Sequence, residues 1–196
     1  MKYYLSLLSF VFALSGFAFS APKPVSLKIN PGNSKVEWFA KKVTGAHNGT
    51  VNVKSGSLDF KNNELVAGKI EMDMTSIAVS DLQGEWGQKL AGHLKGADFF
   101  NVEKFNTAVL NLKKTEPLTP GAYKIIADIT IKGITKEITF DAMVNRDSGT
   151  ANADIKLDRT DFDIKYSSSK FFPEIGDKMV YDEFNLKINL SFAKAL

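Results

Sequence analysis

Beyond residue 34 the chain is organised by a period of two. Val36, Trp38 and Ala40 alternate with Glu37 and Lys41, with Phe39 out of step. Val66, Gly68, Ile70, Met72 and Met74 share one parity, as do Tyr123, Ile125, Ala127, Ile129 and Ile131. Ile134, Ile138, Phe140 and Ala142 resume the pattern after Gly133, and Ala151, Ala153, Ile155 and Leu157 repeat it. In the last run Val180, Phe184, Leu186, Ile188, Leu190 and Phe192 face one way, with Asp182 a charged break among them. Successive side chains of a strand point to opposite faces, so each run predicts a strand with one dry and one wet side.

Turn residues separate the runs. Asn48-Gly49, Ser55-Gly56, Lys61-Asn62-Asn63, Pro120-Gly121, Lys132-Gly133 and Asp147-Ser148-Gly149 are expected to bend the chain. Eight to nine strands with short connections imply antiparallel pairing. A closed barrel gives every dry face a shared interior and leaves no edge to aggregate. The expected fold is all-β, an eight-stranded antiparallel lipocalin-like barrel, with a two-sheet sandwich as the alternative.

Residues 81–101 break the period. Leu82, Trp86, Leu90 and Leu94 fall four apart, which is helical spacing. Gly84, Gly87, Gly92 and Gly96 each weaken a helix by about 1 kcal/mol relative to alanine. One or two short helical segments on a long connection are expected there, placed as a lid over one barrel end.

The ends and the composition narrow the picture. Met1-Lys2, the apolar stretch Leu5 to Phe19 and Ala18-Phe19-Ser20 before Ala21 read as a signal peptide over 1–20. Residues 21–29 are expected as an extended leader and 30–196 as the barrel domain, periplasmic or secreted after cleavage near Ser20-Ala21. The chain has no cysteine, which excludes disulfides, thiol catalysis and cysteine metal sites. Without Lys2, 24 basic residues face 22 acidic ones, interleaved and without a basic block, so nucleic acid is not an expected partner.

The chemistry on offer is sparse. The only histidines are His47 and His93, far apart in sequence, without the His-x-His or His-Glu-x-x-His spacing of a metal site. No Gly-x-Ser-x-Gly, phosphate loop or dinucleotide fingerprint occurs, so neither an enzyme nor a metal site is expected. Arg159, in Leu-Asp-Arg-Thr-Asp-Phe, is either half of a structural Arg–Asp pair or a forked donor at a cavity mouth. The doublets Phe99-Phe100 and Phe171-Phe172 lie outside the strand pattern. Rings so placed are covered by a lid, a ligand or a partner, or else plug the core from a loop.

Four segments, HLKGADFFNVEKFNTAVL (93–110), YKIIADITIKGITKEITFDAMV (123–144), RTDF (159–162) and GDKMVYDEFNLKINL (176–190), resemble the YceI family. NSKVEWFAKKVTGAHNGTVNVKSGSLDF (33–60) and MDMTSIAVSDL (72–82) fit its N-terminal half, so the resemblance spans nearly all of 30–192. It implies an exported barrel that holds an isoprenoid lipid such as a quinone or polyprenyl phosphate, with no covalent cofactor. His93, Asp98, Phe99 and Phe100 match the helical segment that closes one end, and Arg159, Asp161 and Phe162 match the Arg-x-Asp-Phe turn. Asn33 replaces a frequent histidine, Gln88-Lys89 a usual Arg-Asp, and Asp163 a common glycine.

Binding is therefore expected at Trp38, Ile70, Met72, Leu94, Ile125, Phe140 and Phe184 as well, on the dry faces and the lid. Gly68, Ala127, Ala142, Ala151 and Ala153 are expected to leave a channel. Burying one five-carbon isoprene unit contributes on the order of 3–4 kcal/mol, more than one head-group hydrogen bond at about 1–3 kcal/mol. Transport, storage or sequestration in the envelope is the expected role, with a transient membrane or membrane-protein contact. The alternative is a filled barrel acting through protein contacts, and a weaker third is an enzyme using bound quinone.

Overall fold

A computed structural model describes residues 23–194; the expected signal peptide lies outside the described residues. The strands are β1 (Val25–Lys28), β2 (Lys35–Lys42), β3 (Gly45–Lys61), β4 (Glu64–Val79), β5 (Thr107–Thr119), β6 (Ala122–Ile131), β7 (Ile134–Asn145), β8 (Thr150–Asp158) and β9 (Val180–Ser191). One helix, α1 (Gly84–Lys95), lies between β4 and β5. All pairings are antiparallel, in the order β3-β2-β9-β8-β7-β6-β5-β4, and β4 pairs back to β3. That closes an eight-stranded barrel. The alternation is obeyed by burial: Tyr123, Ile125, Ala127, Ile129 and Ile131 are buried, while the residues between them are exposed or half-buried.

Part of the segment expected as an extended leader, residues 21–29, joins the sheet. Val25–Lys28 forms β1 against the end of β3, with Val25 opposite Phe60 and Lys28 opposite Ser57. Leu27 and Ile29 are buried, so these residues add apolar cover where Phe60 and Phe192 stack at 5.7 Å. This end, which also holds the β3–β4, β5–β6 and β7–β8 turns, is the closed end.

Two expected turns are strand instead. Asn48-Gly49 and Ser55-Gly56 lie within β3, and β2 turns into β3 at Val43-Thr44. Gly49 serves a close approach rather than a bend. A Cβ there would meet Ala78 O at 1.8 Å and the Trp38 ring at 2.6 Å. Gly56 lies one residue past a register shift in the β3–β4 ladder, one of the bulges that curl these two long strands. The other expected turns stand: Asn62 and Asn63 both take positive φ, as do Lys132 and Gly133, the geometry that suits a two-residue hairpin.

α1, a single 12-residue helix, is the short helical segment expected in the 81–101 connection. Its packed face is Gly87, Leu90, Ala91 and Leu94, and Trp86 points away at 72% exposure. Gly87 is tolerated because it seats the helix against Leu82, whose carbonyl would lie 2.5 Å from an added Cβ. The helix covers the upper part of β4, beyond Asp73, where pairing to β5 has ended.

The barrel wall is also incomplete between β7 and β8. Only Ala142–Asn145 pair with Thr150–Ala153, so Ile134–Asp141 is bonded on one side alone. A 3-10 turn, Arg159–Phe162, packs against β7 there with Phe162 1% exposed. Phe162 thereby covers the stretch of β7 that lacks a partner strand on this side.

Candidate functional site

The interior divides into unequal halves. In the half under α1 lies a cavity of about 110 Å³, lined by dry-face residues of β2, β3, β4, β5, β6 and β9 and by the lid. In the closed half only about 40 Å³ remains. Leu110 of β5 lines both and forms the partition.

Small residues explain the upper space, though not those expected. Ala40 and Ala108 line the open half. Gly68 opens no channel, since Leu58 and Leu112 side chains already lie 2.8 and 3.2 Å from where its Cβ would sit. Ala142, Ala151 and Ala153 border the small lower space, and Ala127 borders neither.

Seven of the expected contacts meet in the upper cavity: Trp38, Met72, Leu94, Phe99, Phe100, Arg159 and Phe184. Ile70, Ile125 and Phe140 line the lower one. Phe162 is buried in the 3-10 turn and borders neither cavity. Asp161 is exposed, 4.0 Å from Lys136, and Asp98 is exposed on the far side of the lid beside Lys132 and Lys165. Neither carboxylate lines either cavity. The alternation also marked Val36, Met74, Ile129, Ile131 and Leu186, all of which line the upper cavity, as does Leu110, which lay in none of those runs.

Arg159 is bound by the protein itself. Its Nε, Nη1 and Nη2 donate to the carbonyls of Tyr181 at 3.2 Å, Ile164 at 2.8 Å and Val180 at 2.9 Å. Asp182 Oδ1 lies 3.1 Å from Nη2 as an ion pair without hydrogen-bond alignment. Burial lowers the Arg159 pKa, and the carboxylates of Asp182 and Asp158 oppose the shift. The charged break at Asp182 is thus explained. It faces inward on β9 to meet Arg159, and the pair ties the 3-10 turn to the strand that follows the mouth loop.

That loop, residues 163–179, is knit around Ser168, which is fully buried. The Ser168 carbonyl accepts from the backbone N–H groups of Phe171 and Phe172, and its hydroxyl accepts from that of Lys170. Lys170 Nζ contacts Asp158, which also accepts from Thr160. Asp163 has φ +57, the left-handed region that glycine adopts without strain. Of the two doublets, Phe99-Phe100 faces the cavity while Phe171 and Phe172 are 44% and 51% exposed.

A second space of about 370 Å³ lies outside the cavity, between α1, the β2–β3 turn and the mouth loop. Trp38, Ala40, Leu94, Phe99 and Val180 line both spaces, so this vestibule adjoins the apolar cavity. His93 stands in it, edge-on to Phe99 at 5.1 Å and to Tyr166 at 4.5 Å. His47 is there too, its Nδ1 2.8 Å from Asp81 Oδ2, while Asp81 Oδ1 accepts from the Asn48 N–H at 3.0 Å. Burial raises the Asp81 pKa, but Asn48 and His47 outweigh it and the net shift is downward. The two bonds fix the entry to the lid helix, a role no local signal in the sequence revealed.

The comparisons agree with this architecture. A UPF0312 protein of Vibrio vulnificus is 28% identical over 94 residues, 48% of each chain. The chain thus aligns with about half the length of the curated relatives it matches. Among solved structures, Burkholderia cenocepacia BcnA superposes with a TM-score of 0.66 at 18% identity, over 83% of this chain and 98% of that one. A polyisoprenoid binding domain from Saccharophagus degradans, implicated in plant cell wall breakdown, gives a TM-score of 0.58 at 8% identity, over 86% and 98%. At such identities the two structures speak for the fold. The model of the YceI-like domain matches residues 27–192, and the chain belongs to that family.

Proposed function

We propose that this protein is a non-catalytic carrier that holds the hydrocarbon tail of an isoprenoid lipid in the upper half of its barrel, in the cell envelope. The carrying observation is the apolar cavity beneath α1, whose one charged lining residue, Arg159, is already engaged by three carbonyls and Asp182. Such a wall gives nothing to a polar guest and rewards an apolar one in proportion to the area it hides. A slim chain fits a tube scarcely wider than itself, so a narrow cavity suits a tail better than a compact ring system.

Trp38 supplies the test. It lines the cavity, whereas the other tryptophan, Trp86, is exposed on the lid. In a Trp86→Phe background, titration with a prenyl alcohol is expected to change Trp38 emission saturably at one equivalent per chain. A straight dilution response with no saturation would remove the reading.

A further inference from the structure

The vestibule has a charge imbalance that the tail does not explain. Lys41, Lys42 and Lys178 line it together with His47 and His93, against one uncommitted carboxylate, Asp177. Lys42 is the last inward position of β2, following Val36, Trp38 and Ala40, and it is only half-exposed. The β2–β9 register shifts between Ala40 and Lys42, and at this irregularity both Lys41 and Lys42 come to border the same space. Lys178 enters from the opposite side, on the 3-10 turn Gly176–Lys178. Among the described residues no carboxylate lies within 4.0 Å of any of these three ammonium groups. The second acid of the neighbourhood, Asp81, is taken by His47 and Asn48.

We infer that the vestibule is a head-group site for an anion of the phosphate class, so that the preferred lipid is a prenyl phosphate rather than a neutral quinone or prenyl alcohol. The inference rests on the tail occupying the adjoining cavity. A head group emerging past Trp38, Leu94 and Phe99 meets the Lys42 and Lys178 ammonium groups, which have no carboxylate partner among the described residues, while the Lys41 ammonium lies over the Phe39 ring at 5.8 Å. A phosphate supplies the missing counter-charge with several acceptor oxygens, and hydrogen bonds between ionised partners are about twice as strong as neutral ones. A quinone offers two neutral carbonyls and compensates nothing. Arg159, the forked donor suggested by the sequence, is buried and saturated, so lysines take the part.

The test compares a C20 prenyl phosphate, the C20 prenyl alcohol and inorganic phosphate by Trp38 emission in the Trp86→Phe protein. The prenyl phosphate is expected to bind roughly tenfold or more tightly than the alcohol, a gap that narrows as salt is raised. In the Lys42→Gln/Lys178→Gln double variant, checked for an unchanged melting curve, the gap is expected to close while alcohol affinity stays. Equal affinities in the parent protein, or a gap that survives the double variant, would overturn the head-group assignment and leave the tail reading standing. Displacement of bound prenyl phosphate by an equal concentration of inorganic phosphate would mark a free-anion site and overturn the lipid assignment. Failure of both lipids to bind would overturn the tail reading, and the head-group inference with it.

Discussion

Asp182 and Arg159 meet 3.1 Å apart on the inner side of the barrel rim, at 13% and 5% side-chain exposure. They join the 3-10 turn that covers the unpaired stretch of β7 to the first residues of β9, and Asp182 is the one charged side chain on that strand's inward parity. Removing one member of a buried pair strands the other. Asp182→Ala is expected to cost about 3–5 kcal/mol in thermal or denaturant unfolding. The double variant Asp182→Ala/Arg159→Met is expected to recover much of that, since an apolar pair leaves no stranded charge; a double variant as unstable as the single one would contradict this account.

Leu110 separates the two interior spaces and so acts as a ruler. Leu110→Phe is expected to weaken binding of long prenyl alcohols more than short ones, and Leu110→Ala to shift preference towards longer chains. Measuring affinity across a series of chain lengths checks it, and identical length profiles in all three proteins would sink the idea.

Gly49 lies under the Trp38 ring with Ala78 O beside it. Gly49→Ala cannot be accommodated without moving backbone, because the nearest obstacle is a carbonyl at 1.8 Å. A loss of about 1–3 kcal/mol is expected, together with a shift in Trp38 emission as the ring is displaced. Wild-type stability and emission would contradict the packing described.

Asp163 pays for its left-handed φ of +57 with backbone strain that glycine does not feel. Asp163→Gly is expected to raise stability by up to about 1 kcal/mol, net of the exposed contact to Lys165. Calorimetry decides, and a clear loss would show that the Asp163–Lys165 contact matters more than the backbone.

Acid should loosen the mouth before it unfolds the barrel. Burial raises the Asp158 pKa, yet Lys170 and Thr160 overcome it, so the folded value lies below the ordinary one. A depressed carboxyl stabilises the fold above its unfolded pKa, and that stability is lost as pH falls through the folded pKa. Protection of the 159–179 backbone amides, taken relative to the intrinsic exchange rate at each pH, is therefore expected to fall in acid ahead of that of the strands. In Asp158→Asn the early loss is expected to disappear; the same acid response with and without the carboxyl would rule Asp158 out.

Much of this fold could be read from parity alone. The runs through Tyr123, Ile155 and Ile188 marked inward residues that the barrel buries, because one dry face per strand is a local property. What escaped was set by distant partners. Gly49 looked like a turn because its reason, the Trp38 ring, lies on the neighbouring strand. Arg159 had two aspartates beside it in sequence, yet it pairs with Asp182 on β9. Lys42 and Lys178 lie within segments that resemble the family, but nothing local set either apart, and they share a space because β2 and β9 are neighbours. Asp98 and Asp161 came with the family's motifs, but their exposed positions take no part in the cavity.

Native mass spectrometry of the protein gently purified from an envelope-containing source reads the central claim most directly. The account predicts one non-covalent adduct per chain whose mass and fragments identify an isoprenoid, and its loss in a Leu94→Glu/Phe99→Glu variant that retains its β-sheet spectrum. A bare chain that also refuses added prenyl lipids, with the cavity under α1 intact, would contradict it.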